Sequence, residues 1–240
     1  MEAFKVFIYS IFKPLNAFRI IEKKWGFKIY WFTALLILVV AVVSSYVIGP
    51  KMQEYLLESQ IQTMRENFPE MEISEEQLKQ FSGMGAFTNI MMIVSPIVGS
   101  IIGWLFIALI YWGLILVFGG ETNYNKTLTL VIISSVPVLI SNLVNMFYTL
   151  YTGKLIIHQG LSGLVAAGNI MADSSNLLYI ILSRVDIFIL WGLILLIIGI
   201  AISCKMKAWK SILTVLIVLI LGLIISFIGA SISRRFIPQI

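Results

Sequence analysis

The sequence predicts an all-α integral membrane protein, a five-helix transmembrane bundle with a small extracytoplasmic helical cap and an N-terminal interfacial amphipathic helix. Three observations carry this expectation. The chain of 240 residues is 59% hydrophobic and 12% charged, whereas soluble domains average about 45–50% and about 25%. Several apolar runs reach the roughly 20 residues that cross ~30 Å of hydrocarbon. Those runs are continuous and do not alternate, which selects helices over barrel strands.

Residues 1–28 form the entry segment. Phe4, Phe7, Ile8, Ile11 and Phe12 fall at helical spacing, as do Phe18, Ile21 and Trp25 after Pro14. Lys5, Lys13, Arg19, Lys23, Lys24 and Lys28 make it basic. Proline limits the preceding helix and suits the first turn of the next. The segment reads as an amphipathic helix lying on the cytoplasmic surface. A cleaved signal peptide is not expected, because no small-residue cleavage site follows a short apolar core.

Span one covers residues 29–48, with Gly49-Pro50 expected to end it. Residues 51–88 form the cap. Met52, Tyr55, Leu56, Ser59 and Met64 suggest an amphipathic helix ending near Asn67-Phe68-Pro69. Ser74-Glu75-Glu76-Gln77 is a capping box, and a second short helix is expected over residues 75–81, broken by Gly83 and Gly85. The cap's many glutamates lie at irregular spacing. That favours a solvated surface over a carboxylate metal site.

Span two covers residues 89–118. Ser95, Gly99 and Gly103 make a small-residue ridge that admits a close backbone neighbour, and Pro96 is expected to kink the first turns. Span three covers residues 128–151, with Pro137 inside it. At ~100° per residue Ser134, Ser141, Asn145, Tyr148 and Thr152 share a face, with Asn142 beside it. Lipid offers no hydrogen-bond partners, so this stripe must face the bundle. It serves either as interhelical glue or as the wall of a polar cavity.

Residues 153–176 are a mildly polar loop with Lys154, His158 and Asp173, and a short interfacial helix is expected over residues 161–171. His158 reads as solvated or interfacial, since no second ligand stands near it. Span four, residues 177–204, carries Asp186 within its apolar run. An acid at mid-bilayer costs roughly 2.5–3.5 kcal/mol on insertion scales. With a helix start between Leu177 and Ile180, Asp186 stands about 9–14 Å along it at ~1.5 Å per residue, on the outer side of the midplane. It is either a structural acid paired with Asn142, Asn145 or a backbone donor, or a functional one. Arg184, two residues away, points elsewhere and is expected to snorkel outward. Span five covers residues 211–232, with a second small ridge of Gly222, Ser226 and Ala230.

Lys and Arg set the orientation. Ten lie on the side of the N-terminus and six on the other, with Arg184 left to span four. The bias places the N-terminus in the cytoplasm and the C-terminus outside, in the cell membrane. The net charge of +5 stands beside the spans and not in a block, so nucleic-acid binding is not expected.

The residue inventory narrows function mainly by exclusion. Cys204 is the single cysteine and His158 the single histidine. No disulfide, zinc or haem pattern follows from them, and no metal or cofactor is expected. No phosphate loop or nucleophile elbow occurs, and Asp186 has no second intramembrane aspartate for a protease dyad. The chain is therefore expected not to be an enzyme.

Five elements line up in order: Ile11-Phe12-Lys13-Pro14-Leu15-Asn16-Ala17-Phe18 before span one, Gly119-Gly120 after span two, Tyr124-Asn125-Lys126-Thr127-Leu128, Ser134-Ser135-Val136-Pro137, and Asp186-Ile187-Phe188-Ile189-Leu190-Trp191. With five spans, this resembles the Yip1 domain family in its compact bacterial form. The resemblance marks Pro14, Gly119, Gly120, Pro137, Asp186, Phe188 and Trp191 as motif residues. It implies a membrane-organising or trafficking-type scaffold, with membrane lipids, a second copy or another membrane protein as partner. The family's eukaryotic members are linked to Rab GTPases and vesicle formation and have a long cytoplasmic N-terminal region. Only about 28 residues precede span one here, which argues against GTPase binding. The competing reading is a small transporter or lipid-handling protein with an intramembrane polar site at Asp186, Asn142, Asn145, Ser141 and Ser134, resting on the acid, the polar stripe and the prolines.

Overall fold

The computed structural model describes residues 2–67, 85–168, 173 and 176–235. Among these residues every regular element is helical. Two short helices, α1 (Glu2–Phe12) and α2 (Pro14–Lys23), lead into α3 (Phe27–Asn67). Next come α4 (Gly85–Val117), α5 (Tyr124–Ser134), α6 (Val136–Thr152), α7 (Leu177–Ser183), α8 (Ile187–Ser203) and α9 (Ala208–Arg235). Phe27–Ser59, Ile90–Val117, Tyr124–Thr152 and Ala208–Gly229 are each long and apolar enough to cross a membrane. The bent pair α7–α8 makes a fifth span. The chain is an all-α, multi-pass membrane protein.

The central rod is α5. Its residues Lys126 to Ser134 are all buried, the polar Lys126, Thr127, Thr129 and Ser134 included. It packs against α3, α4 and α8, and its N-terminal half also meets α1 and α2. The break before α6 comes at Ser135, whose hydroxyl donates to Val131 O at 2.8 Å. Pro137 stands in the first turn of α6 and removes an amide that would have continued α5. After the break the packing changes: α6 lies on α3 and α8, while α4 stays with α3 and α5.

The entry segment is two helices and not one, paired as a hairpin whose ends meet through a 2.6 Å Lys24–Glu2 ion pair. Its deepest contacts are not those the apolar spacing of α1 suggests. Ala3, Val6 and Ser10 are buried, while Phe4 and Phe12 are exposed. Small residues let α1 close on the bundle, and the rings of Phe4 and Phe7 lie edge-on to Phe32 of α3. In α2 the expected face holds, with Phe18 and Ile21 fully buried.

Gly49-Pro50 does not end span one. Both lie inside α3, which runs on to Asn67. A helix tolerates an internal proline when its neighbours support the freed backbone. Here Met92 Sδ of α4 sits 3.0 Å from where a Cβ on Gly49 would be, and Lys51 Nζ donates to Gly153 O at 2.8 Å. The expected amphipathic cap helix is thus the continuation of α3. The capping box at Ser74, the helix over residues 75–81 and Gly83 lie outside the described residues, and Gly85 is the first residue of α4. In the loop after α6 the described part of the expected helix over residues 161–171 is a 3-10 turn, Ser162–Leu164, and residues 169–171 lie outside the described residues.

Candidate functional site

Span four is not the continuous helix its apolar run suggests. It bends by 65° between α7 and α8, and Asp186 sits at the break. Its backbone is extended (φ −121°, ψ 139°) and its carboxylate caps α8. Oδ1 accepts from Phe188 N at 2.8 Å and from Ile189 N at 3.2 Å. An N-cap aspartate satisfies amides that have no intrahelical partner and meets the positive end of the helix dipole. Among the described residues Asp186 has no hydrogen bond to Asn142 or Asn145; its partners are the first turn of its own helix.

The loop after α6 covers the break. Leu161 N donates to Leu182 O at 3.1 Å. A Cβ on Gly160, at φ +56°, would fall 2.6 Å from Val185 O, so only glycine lets the loop lie this close. Irregular backbone at membrane depth survives where protein buries it. In the same loop the His158 ring nitrogen and Tyr179 Oη are 3.1 Å apart. Asp173 is 2% exposed; its Oδ1 accepts from Ala167 N at 2.6 Å while Oδ2 has no partner among the described residues. Arg184 reaches outward along α9, donating to Ser226 Oγ at 3.4 Å.

Between these helices lies a cavity of about 380 Å³, within the 300–1,000 Å³ typical of small-molecule sites. Ile37 and Ala41 form one wall, Trp104, Ile107 and Tyr111 of α4 another, and Phe188, Ile189 and Gly192 of α8 a third. The polar groups on it are Ser100, Ser134, Ser135 and Asn142. Ser134 is 5% exposed and its hydroxyl has no hydrogen-bond partner among the described residues. At Gly192 a Cβ would come within 3.1 Å of Ser134 O, so the missing side chain brings α8 close to α5.

The structure therefore brings Ser134, Asn142 and Phe188 together around the cavity. Asp186, Ser141 and Asn145 are not among its lining residues. Ser100 and Gly192 join the site without having been singled out, and Ser135 enters it from the motif before Pro137. A serine facing serine across two helices is visible only once the helix register is known. Among the described residues no group of three or more His, Cys, Asp or Glu stands together to hold a metal.

The remaining motif residues are architectural. Gly119 (φ +79°) and Gly120 close α4: Gly119 N donates to Leu116 O and Gly120 N to Ile115 O, at 3.0 and 2.8 Å. This is a Schellman cap, which wants glycine in the left-handed position. A Cβ on Gly120 would stand 2.6 Å from both Ile115 Cγ2 and Met206 Sδ. The turn then locks onto the one after α8: Glu121 N donates to Cys204 O at 2.9 Å and Lys210 Nζ to Phe118 O at 2.7 Å. Lys205 binds Glu121 at 2.6 Å; that hydrogen bond, with the attraction of the ammonium charge, holds the Glu121 carboxyl below its ordinary value. Pro14 opens α2, and Trp191 packs beside the main core.

A family model described as the Yip1 domain matches residues 8–229. Comparison with curated proteins and with solved structures returns no match.

Proposed function

The chain belongs to the Yip1 domain family, and on that premise we propose that it is a non-enzymatic membrane-organising scaffold. It stands in the cell membrane with its N-terminus in the cytoplasm and its C-terminus outside. One observation carries the reading: the basic α1–α2 hairpin is built into the bundle and not tethered beside it. Ser203 Oγ donates to Phe18 O at 3.0 Å, and Gly26 N donates to Thr129 Oγ1 at 2.9 Å. An amphipathic hairpin held rigidly at one end widens the protein in one leaflet, and basic helices favour anionic surfaces. Partners are membrane lipids and a second copy or another membrane protein. Reconstitution tests this: the full chain should self-associate or change vesicle curvature. A strictly monomeric protein without effect on vesicle shape overturns the proposal.

The central cavity favours a second reading, lipid handling or transport through the bundle, with Ser134 and Asn142 as its polar contacts. Ser134→Leu should fill the cavity and abolish lipid exchange between vesicles, whereas scaffold activity should persist. Asp186 enters this reading as the residue that fixes the mouth of α8. A measured flux unchanged by Asp186→Asn removes any proton-coupled version of it.

A further inference from the structure

A second hollow, of about 410 Å³, lies at the corner where α2 turns into α3, and neither reading above uses it. Glu2, Lys23, Lys24, Trp25, Lys28 and Ile29 line it. We infer that this corner binds the phosphate of an anionic phospholipid.

Charge is the first argument. The one acid in the hollow, Glu2, is already engaged by Lys24 at 2.6 Å. Lys23 and Lys28 have no ion pair or hydrogen bond among the described residues. The hollow therefore carries two uncompensated positive charges. Lys28 is the second residue of α3, whose 41 residues begin at Phe27. The first amides of a long helix add a positive end to the same spot. Phosphate is the group such a combination recognises.

Shape is the second. The turn is fixed from below: Gly26 takes φ +93°, its amide donates to Thr129 Oγ1, and Lys126 Nζ lies 5.0 Å from the centre of the Trp25 ring. The lysines are thus presented from a rigid corner. Beside them Phe27, Trp31 and Leu35 are all exposed. Spaced four apart, they form one apolar stripe along α3 that begins next to Lys28. A cationic hollow continued by an apolar track fits a phosphate ester carrying acyl chains. It does not fit a wholly polar anion, and basic pockets beside membrane helices bind lipid headgroups in this way.

The test uses the full chain in lipid nanodiscs. Thermal stability is compared in phosphatidylcholine alone and with phosphatidylglycerol added, and retained lipid is counted by native mass spectrometry. Wild type should be stabilised by phosphatidylglycerol and retain it. Lys near an anionic surface is worth about 1 kcal/mol, so K23Q with K28Q should lower apparent affinity about twenty-five-fold. K13Q with R19Q removes the same charge from exposed positions elsewhere on the hairpin, outside the hollow, and should cost clearly less affinity than the pair within it. E2Q removes the competing acid and should tighten binding, a gain that misfolding cannot produce. Glycerol phosphate added to phosphatidylcholine discs separates the sources: no effect assigns the site to lipid. An equal, Lys23- and Lys28-dependent effect of glycerol phosphate replaces the lipid by a soluble phosphate and overturns the assignment. Equal losses in the two double variants, or no gain with E2Q, also overturn it, because the attraction is then diffuse.

Discussion

The two ends of the same bundle are built by opposite rules. At the closed end α1, α2 and the two turns at residues 118–123 and 204–207 pack around α5. Phe18, Ile21, Leu130, Ile133 and Ile200 are wholly buried there, and a Cβ on Gly199 would fall 2.8 Å from Phe18 Cε1. At the open end the helices are broken, at Ser135 and at Asp186, and a cavity remains between them. Lipid tails are as apolar as leucine, so a membrane bundle gains little by burying leucine alone. Its closed end is held by tight contact and by side-chain bonds to backbone. Its open end gives up that contact and keeps polar groups instead. Glycines save space at both ends, and only the open end leaves a cavity between its helices.

The sharpest way to break this contrast is at the closed end. Phe18→Ala should cost about 3 kcal/mol or more, as large-to-small changes in cores do, read as a lowered midpoint in thermal unfolding in micelles. An unchanged midpoint means that the hairpin is not part of the core. Gly120→Ala comes next, at about 1–3 kcal/mol for forcing apart Ile115 and Met206. At the open end the expected losses are smaller. Asp186→Ala should cost about 1 kcal/mol for the lost cap, and Asp186→Asn, which caps as well, only a few tenths. A large loss with Asp186→Asn would show that the negative charge itself is used. Ser134→Ala should change stability by less than about 0.5 kcal/mol, because the hydroxyl has no partner to lose. A greater loss would mean that something occupies the cavity and bonds to it.

The smallest effect is one of pH. Lys205 holds the Glu121 carboxyl below the ordinary 4.5 by hydrogen bond and charge. Its contribution is therefore complete above 4.5 and disappears as the pH falls through the lowered value. For Lys205 the same pair raises the ammonium above 10.5, so that contribution is complete below 10.5 and lost on climbing through the raised value. Both groups are exposed, and screening keeps the effect slight. Glu121→Gln should flatten the acid limb of the midpoint against pH and change little else.

Much of this contrast is legible in the residues. Hydrophobic runs mark the spans, and Gly119-Gly120 announces a turn because few residues accept a left-handed backbone. Lys205 occupies the matching position after α8 with φ 53°, and a lysine gives no such notice. The break in span four is hidden for a related reason. Ser183-Arg184-Val185-Asp186 contains neither glycine nor proline, and apolar residues on both sides make one run. Its one signal is the aspartate, which reads equally as an acid inside a helix or as a cap before one. Gly49-Pro50 misleads the other way, since in water the pair would stop a helix that a membrane neighbour can carry through. The polar stripe of span three is real in composition but not in arrangement. Ser134 and Asn142 line the cavity, on either side of the Ser135 break, while Ser141 and Asn145 do not.

The bend at Asp186 also sets a length. The 17 residues of α8 span about 25 Å at ~1.5 Å per residue. Inclined by 65°, the seven residues of α7 add about 4 Å along that axis. The two helices of span four thus supply about 30 Å, the thickness of an average hydrocarbon layer, to which Arg184, Val185 and Asp186 of the joint add. Its companion α4, with 33 residues, has some 50 Å of helix at its disposal and can tilt to fit. Thickening the bilayer therefore acts first on span four, which lengthens by straightening at the capped joint, towards about 40 Å for residues 177–203 in one helix. The carboxylate that caps α8 stands at the part of the protein most sensitive to how thick its membrane is.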